Sequence, residues 1–301
     1  MRMRAGAAVL MAVLALARAA AAPAATPPAD PAVIERGRYL ATAANCVGCH
    51  TQPGSVEYTG GRALKTPFGT FYTPNITPDS KAGIGGWSDE DFQRALKRGI
   101  APGGHAYYPA FPYTSFAGIT DADALAIKAF LFSLPPSDKP NRPHELSFPY
   151  SIRPALWFWR WLYFDPKPFT PPPGESGEVA RGAYLVEVLG HCGECHTPRN
   201  WLGARDENRQ LAGTATGPDG GKVPNITPDP KTGLGRWSTK DVIRVLKSGL
   251  LPNFDAVGAA MGEVVRATSK LNPADQAAIA AYLATVPAIP NPKVPATQPE
   301  S

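Results

Sequence analysis

Sulfur is scarce in this sequence. Its 301 residues hold four cysteines and four methionines, and Met1, Met3 and Met11 all fall at the N-terminus, so Met261 is the one thioether left for the body of the chain. Long apolar runs are missing beyond the N-terminal segment, and no transmembrane helix is expected there. Basic residues are dispersed, without the clustered stripe that phosphate binding needs, so no nucleic-acid partner is expected. The βαβ pattern of a thioredoxin-like domain is also missing. The formal charge is +5; removing Arg2, Arg4 and Arg18 with a leader leaves about +2.

The leader is legible. "MRMR" and "AGAAVLMAVLALA" read as a charged start and a short apolar core, and "RAAAAPAA" offers small residues for cleavage. Residues 1–22 are read as an export signal, too short and too interrupted by Arg18 to anchor the chain. No cysteine lies near it for a lipid anchor. The mature protein is expected in the periplasm.

The rest of the chain repeats itself. "TPNITPDSKAGIGGWSDEDFQRALKRG" (73 to 99) aligns without a gap on "VPNITPDPKTGLGRWSTKDVIRVLKSG" (223 to 249). Upstream, "RGRYLATAANCVGCHT" (36 to 51) matches "RGAYLVEVLGHCGECHT" (181 to 197) with one residue of slippage; downstream, "TDADALAIKAFLFSLP" matches "NPADQAAIAAYLATVP". Two copies of one domain are expected, at residues 31–138 and 174–289, each of ordinary small-domain size. Both read as all-α with long loops. Pro31 suits a first helical position, and Ser88 and Ser238, each with an Asp three residues on, form a weaker relative of the capping box. Gly99 and Gly249 are natural terminators. Gly37 and Gly182 are read as places where another helix crosses closely.

Residues 139–173 form a Pro-rich connector with the aromatic run "LWFWRWLYF" (156 to 164). The favoured reading packs this run into the groove between the domains, because monomers seldom expose large apolar patches. The alternative is a docking surface, with the Trp157 to Phe164 region meeting a membrane surface or a partner subunit. From Pro290 to residue 301 the tail is expected to be loose.

All four cysteines lie in two C-x-x-C-H strings, "CVGCH" (46 to 50) and "CGECH" (192 to 196). This is the attachment pattern of c-type haem. Two thiols spaced by two residues add to the two vinyl groups of one porphyrin, and the adjacent His is placed to ligate iron. Cys46, Cys49, Cys192 and Cys195 are therefore the candidate covalent attachment residues, His50 and His196 the proximal ligands, and two haem c groups the expected cofactors. A disulfide or redox dithiol would not require His after both pairs, and a single zinc site would have to join cysteines about 150 residues apart. Pro53 and Pro198 are the expected sources of a carbonyl that orients each imidazole.

With these strings, "G-x-Y-L" before them, "PNITPD…G-x-G-x-W-S" between and "Y-L-x-x-L-P"-like closing helices, the chain resembles dihaem class I cytochromes c. It is similar to the cytochrome c subunits of membrane-bound alcohol and gluconate dehydrogenases, which usually carry a third haem domain without a counterpart here. The resemblance implies two tandem class I domains, each a small helical shell around haem, passing single electrons from a dehydrogenase to a cytochrome or oxidase without catalytic residues. It also implies a Met sixth ligand from a loop of the type "Y-P-A-M-P-Y". In "VGAAMGE" (257 to 263) that residue is Met261; in "YYPAFPY" (107 to 113) its position holds Phe111, which cannot ligate iron. The first site is then vacant, watered or filled by a neighbour such as His105, with Tyr107, Tyr108 and His144 as weaker candidates and His191 on the wrong side. A haem enzyme or small-ligand-binding protein using that first haem is the alternative function.

Overall fold

The computed structural model describes residues 30–175, 177–217 and 220–294; the export signal read at 1–22 and residues 295–301 lie outside the described residues. Helix α1 (Pro31–Ala43) starts where Asp30 accepts a hydrogen bond from the Ala32 amide, with Pro31 at the first helical position. It crosses α5 (Asp121–Phe132), which Thr120 caps. At the crossing, a Cβ on Gly37 would overlap the Ala126 carbonyl and the Phe130 Cβ. Later in the chain, α7 (Gly177–Ala183) continues as a π-helical turn over Tyr184–Leu189 and crosses α11 (Pro273–Thr285) in the same way. There Gly182 meets the Ala278 carbonyl. The expected close crossings are present in both halves.

Helices α3 (Asp89–Arg98) and α9 (Thr239–Ser248) begin with full capping boxes, stronger than the sequence suggested. The Ser88 hydroxyl accepts from the Asp91 amide at 3.0 Å while the Asp91 carboxylate accepts from the Ser88 amide at 3.2 Å. The short Asp side chain reaches back as Glu would, and its charge suits a helix N-terminus. After each box comes a second helix: the single turn α4 (Tyr113–Phe116) in the first half, and the longer α10 (Ala259–Thr268) in the second.

The all-α expectation needs correction. The fold is largely helical, but β1 (Ala63–Thr66), β2 (Gly69–Tyr72) and β3 (Glu145–Leu146) form a small antiparallel sheet in that order. Leu64 pairs with Phe71 and Thr70 with Glu145. A tight turn at Pro67 and Phe68, followed by Gly69 at φ 123°, closes the first hairpin. The matching stretch "TATGPDGGKV" makes an isolated bridge, Thr214 to Val223. Its glycines remove the side chains that would pack on a sheet face.

The connector is not a free spacer. Asn141 accepts from the Asn75 amide at 2.7 Å and β3 pairs with β2, so residues 141–146 fold back along the first half. The aromatic run forms α6 (Ala155–Tyr163) and packs between the halves only in part, with Leu156 and Phe164 against the first and Trp159 against the second. It buries Leu156, and Trp159 donates to the Leu202 carbonyl at 2.9 Å, but Trp157, Phe158 and Trp161 are 48%, 62% and 77% exposed. A nine-residue helix cannot bury every face, and here aromatic residues lie on all of them. The tail expected to be loose is tied down over its described part: Asn291, 2% exposed, donates to the Ala212 and Gly213 carbonyls.

One apolar core runs through both halves, with Leu40, Phe116 and Ile119 joined to Val186, Leu189 and Ile279. Around it the R-G-x-Y-L strings make a reciprocal lock. Arg36 bonds Asp123 of its own half, and Tyr39 donates to Asp275 of the other at 2.6 Å. Arg181 bonds Asp275, and Tyr184 donates to Asp123 at 2.8 Å.

Candidate haem-attachment sites

Each C-x-x-C-H string follows the first helix of its half. Just before each, one non-glycine residue takes a left-handed conformation, Asn45 at φ 49° and His191 at φ 39°, which turns the chain out of the helix. The strings then wind through α2 (Cys46–Cys49) and α8 (Gly193–His196). The His50 amide donates to the Cys46 carbonyl at 2.8 Å and the His196 amide to the Cys192 carbonyl at 2.9 Å. One turn therefore places the first Cys, the second Cys and the His on a shared face, since residues three and four apart are neighbours on a helix.

None of the four cysteines is paired in a disulfide. Burial pushes the Cys46 and Cys192 thiols up to about 12, so neither is the low-pKa thiolate of a redox dithiol. Among the described residues, no three His, Cys, Asp or Glu side chains converge as a metal-binding cluster.

Both imidazoles are held by backbone. Nδ1 of His50 lies 2.8 Å from the Pro74 carbonyl, and Nδ1 of His196 lies 2.8 Å from the Pro224 carbonyl. This corrects the expectation of Pro53 and Pro198: the orienting carbonyls come from the P-N-I-T-P-D strings. A carbonyl can only accept, so each ring donates from Nδ1 and keeps the Nε2 lone pair free for a metal. Burial lowers both imidazole pKa values, which favours the neutral, ligating ring.

The next residue braces each carbonyl. Asn75 accepts from the Thr77 amide and hydroxyl at 2.9 and 2.8 Å, and its own amide donates to the Ser137 carbonyl. Asn225 repeats this with Thr227 and the Ile289 carbonyl. The repeated motif thus pins the segment after the last helix of each half to the carbonyl that steers the histidine.

Where the sequence placed the sixth-ligand positions, the halves differ. Met261 lies on the first turn of α10 and is half-buried. Phe111 is half-buried too, with its ring 5.7 Å from Tyr107, 6.4 Å from Tyr113 and 6.0 Å from Phe116. His105 sits on an exposed turn edge-on to Tyr107, its pKa lowered by burial and by Arg153. His144 is engaged elsewhere: it accepts from the Tyr72 amide at 3.2 Å and packs on Phe71 and Tyr108. His191 packs edge-on to Phe116 and hydrogen-bonds the backbone of Ala44, next to the first attachment turn.

Sequence reasoning missed Glu194, inside the second C-x-x-C. It is 8% exposed and accepts from Thr114 and Ser115 at 2.9 Å each and from Arg199 at 2.5 Å. Burial alone would raise its pKa, but Arg205 and Arg199 outweigh that and hold the carboxyl at about 2. An acidic residue between two attachment cysteines was a visible oddity; its partners on α4 were not.

Two thiols and a carbonyl-steered neutral imidazole on one helical turn, present twice, suit a protein that binds haem covalently. The family comparison agrees: the cytochrome c family's sequence model matches residues 34–135. A diheme cytochrome c-type protein of Cereibacter sphaeroides is 46% identical over 259 residues, covering 84% of this chain and 86% of that relative. The cytochrome c subunit of alcohol dehydrogenase (quinone) of Gluconacetobacter polyoxogenes is 41% identical, over 88% of this chain and 58% of the subunit. That of gluconate 2-dehydrogenase of Pantoea cypripedii is 40% identical, over 85% and 60%. This chain therefore spans somewhat more than half the length of those dehydrogenase subunits. The chain belongs to the cytochrome c family, whose members bind haem c covalently and transfer electrons.

Proposed function

We propose that the chain is a periplasmic dihaem cytochrome built from two tandem class I domains, 31–138 and 174–289, that carries single electrons from a dehydrogenase to a respiratory acceptor. The observation that carries this is the duplicated steering of His50 and His196 by Pro74 and Pro224 beside complete cysteine pairs. Cys46 and Cys49 hold the first haem and Cys192 and Cys195 the second, with His50 and His196 as proximal ligands and Met261 as the second haem's sixth ligand. The haem supplies one-electron chemistry; the chain supplies ligands, burial and a partner surface. The donor is read from the relatives, several of which are dehydrogenase cytochrome subunits.

The alternative use of the first haem for ligand chemistry finds little support in the residues around Phe111. Tyr107, Tyr113 and Phe116 surround it, and His105 lies out on an exposed turn. The exposed residues of α6 are uncharged and aromatic-rich, which suits the headgroup layer of a membrane, where Trp and Tyr concentrate. No helix among the described residues is long and apolar enough to cross a membrane.

The test is cofactor content. Protein made with a working haem-maturation system should carry two haems per chain that survive acid extraction, and Cys46→Ala or Cys192→Ala should lower the yield of one. One haem per chain, or bound zinc, would overturn the reading.

A further inference from the structure

Each attachment turn is packed against the segment that bears the other half's distal residue. In the first turn, the Gly48 carbonyl accepts from Arg62 at 2.5 Å, and the same guanidinium pairs with Glu263 on α10, two residues after Met261. In the second turn, Glu194 holds the position aligned with Gly48 and takes the hydroxyls of Thr114 and Ser115 on α4, three and four residues after Phe111.

These two ties differ in strength. The side chains of Arg62 and Glu263 are 25% and 27% exposed, so solvent screens their pairing. Glu194 has a side chain 10% exposed, and both of its oxygens are occupied. A clamp that served only its own half would need Arg199 and Arg205; Arg199 already bonds the Glu194 and Gly203 carbonyls. The two hydroxyls from the other half are additional, and Arg205 reaches Ser115 as well, at 3.1 Å.

We propose that Glu194 is a positioning residue that holds α4, and with it the Phe111 segment, against the second attachment turn, so that the two haems behave as one coupled pair. This rests on the two-haem reading above. Coupling between sites is reciprocal: if a change at the second turn is felt at the first haem, a change on α4 is felt at the second.

Two variants of the full holoprotein test this, each read in the opposite half. Glu194→Gln removes the charge with little change of shape; the first haem should then show an altered balance of high-spin and low-spin forms. Thr114→Val with Ser115→Ala changes no charge and leaves C-G-E-C-H intact; the midpoint potential of the second haem should shift. Haem content is measured first, because two haems in the unaltered protein separates failure of the coupling from failure of the two-haem reading. If Glu194→Gln does not load its second haem, the α4 variant decides alone. Spectra and potentials that change only in the half that was altered would overturn the proposal.

Discussion

The reciprocal lock between the halves predicts an asymmetry. Tyr184→Phe and Tyr39→Phe each delete one phenol that donates across the interface to a carboxylate, at 2.8 and 2.6 Å. A hydrogen bond to a charged group is worth about 1.5–3 kcal/mol, and an acceptor left buried without a partner adds its desolvation cost. The two carboxylates are not equally provided for. Both contacts from Arg36 go to Oδ1 of Asp123, so Tyr184 is the one partner described for Oδ2 of a residue 3% exposed. In contrast, Asp275 keeps Arg181 on both oxygens, at 2.9 and 2.7 Å, when Tyr39 is lost. Each phenol also accepts from a backbone amide, of Thr120 or Asn272, but those residues are exposed and water replaces the bond. Tyr184→Phe should therefore cost about 2–3 kcal/mol and Tyr39→Phe about 1 kcal/mol, although the deleted bond is shorter in the second case. Urea unfolding of the haem-loaded protein, followed by far-ultraviolet circular dichroism, measures the difference. At a shift of about 2–4 °C per kcal/mol, thermal melting should rank the variants the same way. A Tyr39→Phe loss equal to or greater than that of Tyr184→Phe would refute the reasoning.

Other expectations follow from the sites and the crossings. Because a Met ligand raises the potential of a c-type haem, Met261→His should lower the second haem's potential and abolish its methionine charge-transfer band, while Phe111→Met should raise the first; redox titration with spectra checks both. Gly182→Ala gains up to about 1 kcal/mol of helix propensity but forces a methyl onto the Ala278 carbonyl, a clash worth about 1–3 kcal/mol, so a net loss of stability is expected in urea. Glu194, with its pKa depressed from 4.5 to about 2, contributes stability that is present above pH 4.5 and lost as pH falls toward 2. That contribution is roughly 3 kcal/mol, and Glu194→Gln should flatten the acid-denaturation curve over that window. Phe158→Ser with Trp161→Ser should weaken sedimentation with lipid vesicles if α6 meets a membrane; unchanged sedimentation would leave its face to a partner subunit.

Residue order alone made legible the two C-x-x-C-H strings, the internal repeat, Pro31 at a first helical position, the ends of α3 and α9, and the close crossings at Gly37 and Gly182. All of these are local: a C-x-x-C-H string wound into one turn brings its own thiols and imidazole together, and a repeat supplies its own alignment. Contacts between distant segments were decided by tertiary structure. Any backbone carbonyl can accept from a histidine, so nothing in the identity of Pro74 or Pro224 marked them over the nearer Pro53 and Pro198. Whether "LWFWRWLYF" fills a groove or faces outward depends on the surface that the other elements leave for it; Leu156, Trp159 and Phe164 find partners there, while Trp157, Phe158 and Trp161 stay largely exposed. Glu194 reads as one more charge in the chain until α4, about 80 residues earlier, is folded against it; two hydroxyls and two guanidiniums then make burial of its carboxylate favourable, which no single segment could do.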